Sequence, residues 1–284
     1  MPGGYWLSSR ALRPVDEITS VARSIGVQNL SQRVAVPHTG DEIERMAQTW
    51  NEVLDRLETS VKRIRQFTSD ASHELRTPLA LIRATAELAL RRDRDPAGYC
   101  ASLRQIEQDA ARMTELTESL LTLARADADA LEMTLRPTDL NELTRSVVEQ
   151  SGAAAADAGI ALHAITPEHP VEAPADALGI RRILLILVDN ALKHTPAGGA
   201  VSVSVADHGR EVAVSVEDTG AGIPVEALPH IFERFYRADP ARGSSGFGLG
   251  LSIAQAIAHG HGTAIEVASQ SGSGSRFCIL LAKA

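Results

Sequence analysis

The sequence predicts a multidomain protein of the α plus α/β class, with helices to about residue 129 and an α/β sandwich after it. In the first part, apolar residues recur at steps of three and four, which is the period of an amphipathic helix. In the second part, valines alternate with other residues at 201–205 and at 212–216, as they do in strands. Two glycine-rich segments, residues 218–224 and 246–250, also lie in this second part.

Length and composition narrow the classes of function. The chain has 284 residues, enough for two or three domains, and its formal net charge of −8 argues against bulk binding to nucleic acid. Cys100 and Cys278 are too few and too far apart in sequence to suggest a metal site, and we interpret both as reduced packing residues. Because no run of about twenty apolar residues occurs, we do not expect these residues to cross a membrane.

The first residues nevertheless resemble the inner end of a membrane-spanning helix. The run Gly3-Gly4-Tyr5-Trp6-Leu7 places Tyr and Trp where an interface would lie, and Arg10 and Arg13 follow as on a cytoplasmic side. We therefore interpret the chain as the cytoplasmic part of a membrane-anchored receptor. The alternative is a natural soluble protein that starts at Met1.

Residues 8–60 predict a unit of two helices. Pro14 opens the first helix, and a connector then passes through Pro37 and Gly40. Asp41 and Glu42 start the second helix, where negative charge suits the helix dipole. The apolar residues of this helix follow the seam of a coiled coil: Ile43, Met46, Trp50, Val53 and Leu57. Any packing unit of two helices would show a similar pattern.

The seam continues in phase, past one polar step at Ser60, into a helix that carries a candidate reactive histidine. The apolar stripe of this helix consists of Val61, Ile64, Phe67, Ala71, Leu75, Leu79, Ile82 and Ala86. His73 lies two residues from its nearest stripe neighbour on each side, so it points away from the stripe, with Glu74 beside it. An imidazole in that position is available to react, although a solvated surface histidine is the alternative. Pro78 removes a backbone donor and should kink or loosen the helix.

A charged turn at residues 91–98 precedes a second amphipathic helix. Its apolar residues are Leu103, Ile106, Ala110, Met113, Leu116, Leu120 and Leu123. Two such helices make an antiparallel hairpin, which buries its apolar stripe poorly when it is alone. Two hairpins make a four-helix bundle, so we expect a homodimer.

A helix predicted around residues 183–194 is the first of three segments that suggest a nucleotide pocket. Asn190 and Lys193 are three residues apart and share a face of this mostly buried helix. An amide oxygen can ligate a hard cation such as Mg2+, and an ammonium group can neutralise phosphate oxygens. A helix end with ordinary polar residues is the alternative.

The other two segments are rich in glycine. Asp218 ends a strand and precedes Gly220 and Gly222, so that an acceptor lies where a ligand can approach closely, which suits an adenine amino group. Residues 246–250 open an apolar helix and leave backbone N–H groups for phosphate. They form neither a Walker loop nor a convincing dinucleotide fingerprint, because no Gly-Lys-Ser/Thr follows and no strand leads into them. Residues 231–237 lie between the two segments, and polar, glycine-rich sequence follows them; together they suggest an aromatic anchor on a mobile lid.

Five short motifs occur in the order found in sensor histidine kinases of two-component systems, and the chain resembles that family over nearly its whole length. The motifs are SHELRTPL with His73, DNALKH with Asn190, DTGAGIP with Asp218, then FERFYR and GFGLGL. The resemblance implies a HAMP signal-relay domain at residues 8–60 and a dimerisation and phosphotransfer hairpin at 61–129. A linker at 130–136 would follow. The last part would be a catalytic ATP-binding domain at 137–284, with the Bergerat-type sandwich that gyrases share.

The resemblance also implies a role for each site residue. His73 would be the phosphoacceptor and Glu74 its hydrogen-bonding general base. Thr77, one turn later, would support dephosphorylation of the partner regulator, unless it only shapes the backbone before the proline. Asn190 would ligate Mg2+, and Asp218 would read adenine. The other implied nucleotide contacts are Lys193, which would contact phosphate, and His194, Gly220, Gly222, Tyr236, Arg237, Gly246, Gly248, Leu249 and Gly250.

The sequence departs from the family pattern at Ile186. Many members carry a second Asn there, one turn before the Mg2+ ligand. Isoleucine cannot ligate a cation, so one amide contact is missing and a water would have to replace it.

The implied activity is autophosphorylation from Mg2+-ATP, followed by transfer to an aspartate on the receiver domain of a separate response regulator. The full-length parent would be anchored on the cytoplasmic side of the bacterial inner membrane. Two alternatives remain. A gyrase-type ATPase would share the pocket but gives the SHELRTPL segment no role. A nucleotide-sensing scaffold without catalysis is suggested only by Ile186.

Overall fold

The fold is that of a computed structural model, which describes residues 19, 26, 29–38, 40–91, 95–128, 130–237 and 246–283. The chain divides into two compact units, Met1–His73 and Glu74–Ala284. Apart from Thr19, which is helical, the first predicted relay helix and the interfacial residues before it lie outside the described residues.

The first unit is built around the start of helix α1, Glu42–Arg91. Asp41 caps this helix, because its Oδ1 accepts hydrogen bonds from the N–H groups of Ile43, at 3.0 Å, and Glu44, at 3.2 Å. A small core of Val34 and Ala47 fixes the preceding connector on the helix. The predicted start of the second relay helix at Asp41 and Glu42 is thus observed.

Polar side chains also hold the connector on α1. The Asn51 amide donates to the Val34 carbonyl at 3.0 Å and accepts from the Val34 N–H at 2.9 Å, as a neighbouring strand would. The Arg33 guanidinium bonds both Asp55 and Glu58, at 2.5 and 2.6 Å. The connector therefore keeps a defined path without regular secondary structure.

The apolar seam predicted for α1 is mostly left exposed. Met46, Trp50, Val53 and Leu57 are 37–48% exposed, whereas Ala47 and Leu54 on the connector side are buried. The predicted continuity between the relay and the His73 segment is observed, since α1 runs through both as one helix. Pro78 lies inside this helix and does not interrupt it.

The second unit contains the end of α1 and helix α2, Pro96–Asp127. Asp95 caps α2 by accepting from the Gly98 N–H, and Pro96 occupies the first turn, where its missing donor costs little. Four of the five buried residues of α2 recur every seven positions, namely Ser102, Asp109, Leu116 and Leu123. Part of the predicted stripe is not buried, since Leu103 is 63% exposed.

The rest of the second unit is a mixed sheet covered by three helices, which confirms the predicted α/β sandwich. The helices are α3 (Leu140–Asp157), α4 (Ala177–His194) and α5 (Gly250–Gly260). The strands are β1 (Arg136–Asp139), β2 (Ala161–Ile165), β3 (Glu172–Ala175), β4 (Ala200–Asp207), β5 (Glu211–Asp218), β6 (Ile265–Gln270) and β7 (Gly274–Ala282). The five-stranded sheet has the order β2-β4-β5-β7-β6, in which only β2 and β4 are parallel neighbours.

The core lies between this sheet and its helices. The buried residues of largest volume there include Val147 of α3, Ile180, Ile183, Leu184 and Leu187 of α4, and Phe277 and Ile279 of β7. The predicted β4–β5 hairpin is confirmed: Asp207 pairs with Val212 across a turn in which Gly209 has a φ of +82°. This arrangement brings the end of β5 beside the end of α4.

One part of the predicted linker is a strand. Arg136, the last residue of the predicted linker 130–136, begins β1 and pairs with Ala175 of β3 in a separate two-stranded sheet. Residues 136–139 show no apolar alternation because none of the four is fully buried, so the pairing left no local pattern in the sequence.

Candidate nucleotide pocket and phosphoacceptor segment

His73 lies on α1 with an exposed side chain, as its position off the apolar stripe predicted. Glu74, the next residue, is partly buried, and Thr77 is exposed. Pro78 is buried. An exposed imidazole beside a carboxyl group is accessible to a second molecule or domain, as the phosphoacceptor role implied by the resemblance needs.

Helix α4 positions Asn190 and Lys193. Its N-cap residue, Asp176, accepts from the Gly179 N–H at 2.8 Å, and this bond is the main cause that lowers the pKa of the Asp176 carboxyl group. Ile183, Leu184, Leu187 and Val188 are buried on one face of α4. Asn190 is partly buried, and its side chain has no hydrogen-bond partner among the described residues. The Lys193 ammonium group lies 2.6 Å from the Asp189 carboxylate.

Asp218 ends β5 and is only 6% exposed. Its Oδ1 accepts from the Gly220 N–H at 2.8 Å, which turns the carboxyl group back over the glycine turn. Burial raises the pKa of this carboxyl group. A side chain at Gly220 would overlap the backbone carbonyl of His194, and the Ala221 N–H bonds that same carbonyl at 3.3 Å. The Asp218 turn is therefore attached to the end of α4 through the His194 backbone, while the His194 side chain is exposed.

Gly222 and Gly248 are glycines for steric reasons. Each has a φ of +67°, which favours glycine, and a Cβ at Gly222 would overlap the Gln270 carbonyl. A Cβ at Gly248 would lie 2.8 Å from the carbonyl carbon of Phe235. These contacts explain why the two turns need glycine whether or not a ligand is bound.

The two ends of the predicted lid are joined by a hydrogen bond. The Phe235 N–H donates to the Gly248 carbonyl at 2.9 Å, and Phe235 itself has a φ of +61°. The Tyr236 ring lies 5.7 Å from the ring of His230, centroid to centroid, and Arg237 is exposed. Residues 238–245, the remainder of the predicted lid, lie outside the described residues.

Helix α5 begins directly after the second glycine-rich segment. Leu249 is buried at its N-cap position and makes no side-chain capping bond. The N–H groups of the first turn, from Gly250 onward, are therefore not satisfied by this cap and suit an anion.

The face of α4 and the glycine-rich segment meet at two points. A Cβ at Gly246 would lie 4.0 Å from Lys193 Nζ, and a Cβ at Gly250 would lie 3.2 Å from Ile186 Cγ2. Because the Asp218 turn is attached to the end of the same helix, the second unit gathers the predicted adenine, phosphate and cation residues around α4.

Gly274 is a site residue that the sequence reasoning missed. It has a φ of +89°, and a Cβ there would overlap the Asp218 backbone carbonyl. The start of β7 thus closes the back of the Asp218 turn. The only signal was the run Ser271-Gly272-Ser273-Gly274-Ser275, which resembles an ordinary turn.

The donor set around Asn190 fits a hard cation only in part. Its amide oxygen suits Mg2+, but Ile186 contributes no ligand atom. Within the described ranges, no group of three or more His, Cys, Asp or Glu residues is arranged to hold a metal. A magnesium ion here would therefore depend on phosphate and water oxygens for most of its ligands.

Family models match three successive segments. Residues 6–59 match the HAMP domain, residues 63–129 the His Kinase A (phospho-acceptor) domain, and residues 175–284 the histidine kinase-, DNA gyrase B- and HSP90-like ATPase. A phosphoacceptor domain followed by an ATPase domain of this type defines a protein-histidine kinase. Among the described helices, none is long and apolar enough to span a membrane.

The similar proteins agree with this class. The sensor protein kinase PmrB of Pseudomonas aeruginosa is 34% identical over 247 residues, 87% of this chain and 51% of PmrB. The sensor protein CopS of Pseudomonas syringae pv. tomato is 32% identical over 239 residues, 84% of this chain and 48% of CopS. The chain belongs to the sensor histidine kinases of bacterial two-component systems, as its motifs predicted. It spans about half the length of the curated relatives it matches.

Two solved structures have a similar fold. Full-length ShkA in complex with AMPPNP has a TM-score of 0.60 and 30% identity, covering 78% of this chain and 46% of ShkA. Histidine kinase ThkA in complex with the response regulator protein TrrA has a TM-score of 0.63, covering 86% of this chain and 68% of that one. At 23% identity, the second shows the fold alone.

Proposed function

We propose that the chain is the cytoplasmic catalytic part of a sensor kinase that phosphorylates its own His73 from Mg2+-ATP. The observation that carries the proposal is the gathering of Asn190, Lys193, Asp218 and the 246–250 segment around α4, in a chain that also carries an exposed His73. ShkA was solved with the ATP analogue AMPPNP, which supports a nucleotide in this fold.

Each pocket residue has a distinct task in this proposal. Asp218 accepts a hydrogen bond from the adenine amino group, and the first turn of α5 binds phosphate oxygens. Lys193 exchanges Asp189 for phosphate. Asn190 would hold Mg2+, which would offset phosphate charge when bound.

The transfer itself needs an imidazole nitrogen in line with the γ-phosphorus of ATP. The catalytic domain moves on its linker to bring the γ-phosphoryl group to His73. A bond forms between the imidazole nitrogen and phosphorus while the bond from phosphorus to the bridging oxygen of ADP breaks. Glu74 orients the ring and accepts the proton that the imidazole loses.

The phosphoryl group then passes to an aspartate of a response regulator supplied by another chain. The complex of ThkA with TrrA supports a regulator partner of this kind. Relatives named sensor proteins and the HAMP match support a parent anchored to the membrane and acting on its cytoplasmic side. The phosphoacceptor match and the exposed apolar residues of α1 support a homodimer.

Incubation with γ-labelled ATP and Mg2+ tests the kinase. The label should be acid-labile and base-stable, as a nitrogen-linked phosphoryl group is, and His73→Gln should abolish it. Undiminished labelling of that variant would exclude His73 as the acceptor. ATP turnover without labelling of the parental chain would instead favour a gyrase-type ATPase, and nucleotide binding without either reaction would favour a scaffold.

The proposed phosphatase activity rests on Thr77. Its exposed hydroxyl, one turn after His73 in sequence, would orient a water toward the acyl phosphate of the regulator. With a purified phosphorylated regulator, Thr77→Ala should slow dephosphorylation while labelling of His73 persists. If dephosphorylation is unchanged, or both activities fall together, Thr77 has only a structural role before Pro78.

A further inference from the structure

The last residue of α2 is joined to the catalytic domain by an ion pair with two parallel hydrogen bonds. Arg234 donates from Nη1 to Asp127 Oδ2 at 2.8 Å and from Nη2 to Oδ1 at 2.5 Å. The two residues are 107 positions apart. A planar guanidinium that meets both oxygens of a carboxylate is the strongest and most directional form of surface ion pair.

A second polar contact lies about one turn earlier on α2. Arg182 of α4 donates from Nη1 to the Thr122 hydroxyl at 3.0 Å. The Arg182 and Arg234 side chains therefore approach the same end of α2 from two different elements of the catalytic domain.

The apolar packing between these polar contacts is incomplete. A cavity of about 370 Å3 lies between the end of α2 and α5, and its lining includes Leu123, Ala126, Phe232, Ser252, Gln255 and His259. The cavity is large enough to hold several waters, while Leu123 at its edge is only 1% exposed. Apolar contacts therefore hold part of this junction, and the ion pair beside them is partly exposed, so that it can exchange its partner for water.

Arg234 also precedes one end of the lid. The next residue, Phe235, has a φ of +61° and donates its N–H to Gly248 at the other end. A non-glycine residue keeps such a conformation only where its surroundings hold it. The ion pair with Asp127 therefore ties the end of α2 to the base of the nucleotide lid.

We propose that the Asp127–Arg234 pair is a latch that holds the catalytic domain against the end of α2 in a resting arrangement and must open before phosphoryl transfer. The latch rests on the proposed function, in which the catalytic domain moves on its linker to reach His73. Breaking the pair should raise the fraction of molecules in which the catalytic domain is released from α2. It does so without altering a residue that contacts ATP in the proposed function.

Domain release is measured directly by the distance between two spin labels on this chain. One label is placed on Cys100, which is exposed on α2, and the other on an introduced Glu226→Cys, at an exposed position of the catalytic domain, with Cys278→Ala removing the remaining thiol. Dilution with excess unlabelled chain keeps the measured pairs within one protomer. Asp127→Asn and Arg234→Gln should broaden the distance distribution.

Two further variants separate the ion pair from general effects of charge. Glu118→Gln removes the same charge from an exposed position of α2 and should leave the distribution unchanged. The double variant Asp127→Arg with Arg234→Asp rebuilds the pair in reverse and should restore the narrow distribution. At high salt, the parental distribution should broaden toward that of Asp127→Asn, because the pair is partly exposed and screened.

The rate of autophosphorylation at saturating Mg2+-ATP provides the functional readout. Asp127→Asn should raise it by about two- to fivefold, the fold-change expected from losing one partly exposed ion pair, and the reversed pair should return it to the parental value. An unchanged distance distribution in Asp127→Asn, or a broadened one without a faster rate, would overturn the latch. Failure of the parental chain to label His73 would overturn the proposed function, and the latch would then be judged by the distances alone.

Discussion

Asp218 has an ionisable carboxyl group in a position that is shielded from water. It is almost fully buried, and that burial raises the pKa of its carboxyl group, although bonds from the Gly220 and Ser275 backbones partly oppose the shift. A raised folded-state pKa means that the folded chain binds this proton more tightly than the unfolded chain does. The stabilising effect of that proton is complete below the unfolded-state pKa and is lost as pH rises through the folded-state pKa.

Asp218→Asn should therefore separate stability from recognition. The difference in Tm between the variant and the parental chain should favour the variant more at pH 7 than at pH 4. The parental chain buries more carboxylate charge at the higher pH, whereas the amide carries no charge at either pH. Affinity for ATP should fall by about 10- to 100-fold, since the amide can present a donor where adenine needs an acceptor. Scanning calorimetry at both pH values and nucleotide titration check this, with Glu211→Gln, at the exposed start of the same strand, as the control. Equal Tm differences at both pH values would show that burial of the charge has no energetic effect.

Ile186 is the second informative residue of the pocket. Its Cγ2 lies 3.2 Å from where a Cβ of Gly250 would be, so its side chain faces the start of α5, where we propose that phosphate binds. An amide there would add a cation ligand near Asn190, whereas isoleucine adds only packing.

Ile186→Asn should lower the Mg2+ concentration needed for half-maximal binding of a fluorescent ATP analogue, by about three- to tenfold, a change of roughly 1 kcal/mol. Titration of Mg2+ at fixed analogue concentration measures this without relying on catalysis. Ile186→Leu keeps the packing, adds no ligand and should match the parental chain. Complete loss of nucleotide binding in Ile186→Asn would show that this face of α4 does not face the cation.

At the scale of elements, α1 has two faces with different roles. The connector covers one face, where its Val34 packs on Ala47 and bonds Asn51 of the helix. On the other face, the seam residues from Met46 onward remain exposed. A single helix that carries both the relay seam and His73 can pass a rotation along its length, because residues on a helix keep a fixed angular offset.

Insertions near Ser60 test whether this angular offset carries the signal. One added residue rotates everything downstream by about 100° relative to the seam, whereas seven added residues keep the seam nearly in phase. Autophosphorylation should change strongly with the single insertion and mildly with the seven-residue insertion. The rates should be measured both in this chain and in the membrane-anchored parent that we propose. Equal rates from the two insertions would contradict signalling through a continuous helix.

At the scale of the whole molecule, the helical part leaves an unusual amount of apolar surface uncovered. Leu81, Leu88 and Leu90 of α1 and Leu103 and Leu121 of α2 are 50–85% exposed. Exposed apolar residues that recur along two helices indicate an interface, whereas single ones are ordinary. We therefore expect a second copy of the chain to cover them.

Light scattering after gel filtration should give about twice the 30.3 kDa mass of one chain. The double variant Leu88→Glu with Leu103→Glu should dissociate the dimer, because it would bury carboxylates in the interface. Leu178→Glu alters an exposed leucine of α4 in the ATP-binding domain and should leave the mass unchanged. A monomeric parental chain, or a dimer that survives the double variant, would place the interface elsewhere.

Much of the fold was predictable because its signals are local. The α1 start follows from the Asp41 cap, and the β4–β5 hairpin follows from alternating valines around Gly209. The exposure of His73 follows from its offset from a helical stripe. The motifs then assigned the chain to its family. In contrast, β1 gave no periodic signal, because it is short, has no fully buried residue and is paired only through β3.

By itself, the sequence determined the helices of the first part, helix α4, the β4–β5 hairpin, the family and the candidate chemistry, since caps, turn residues and apolar periods act over a few positions. Only the tertiary structure decided that Gly274 lies against Asp218, that Ile186 faces Gly250 and that Arg234 bonds Asp127. Such contacts join residues that are far apart in the chain. Their formation depends on how whole elements pack, and packing leaves no periodic pattern at either residue.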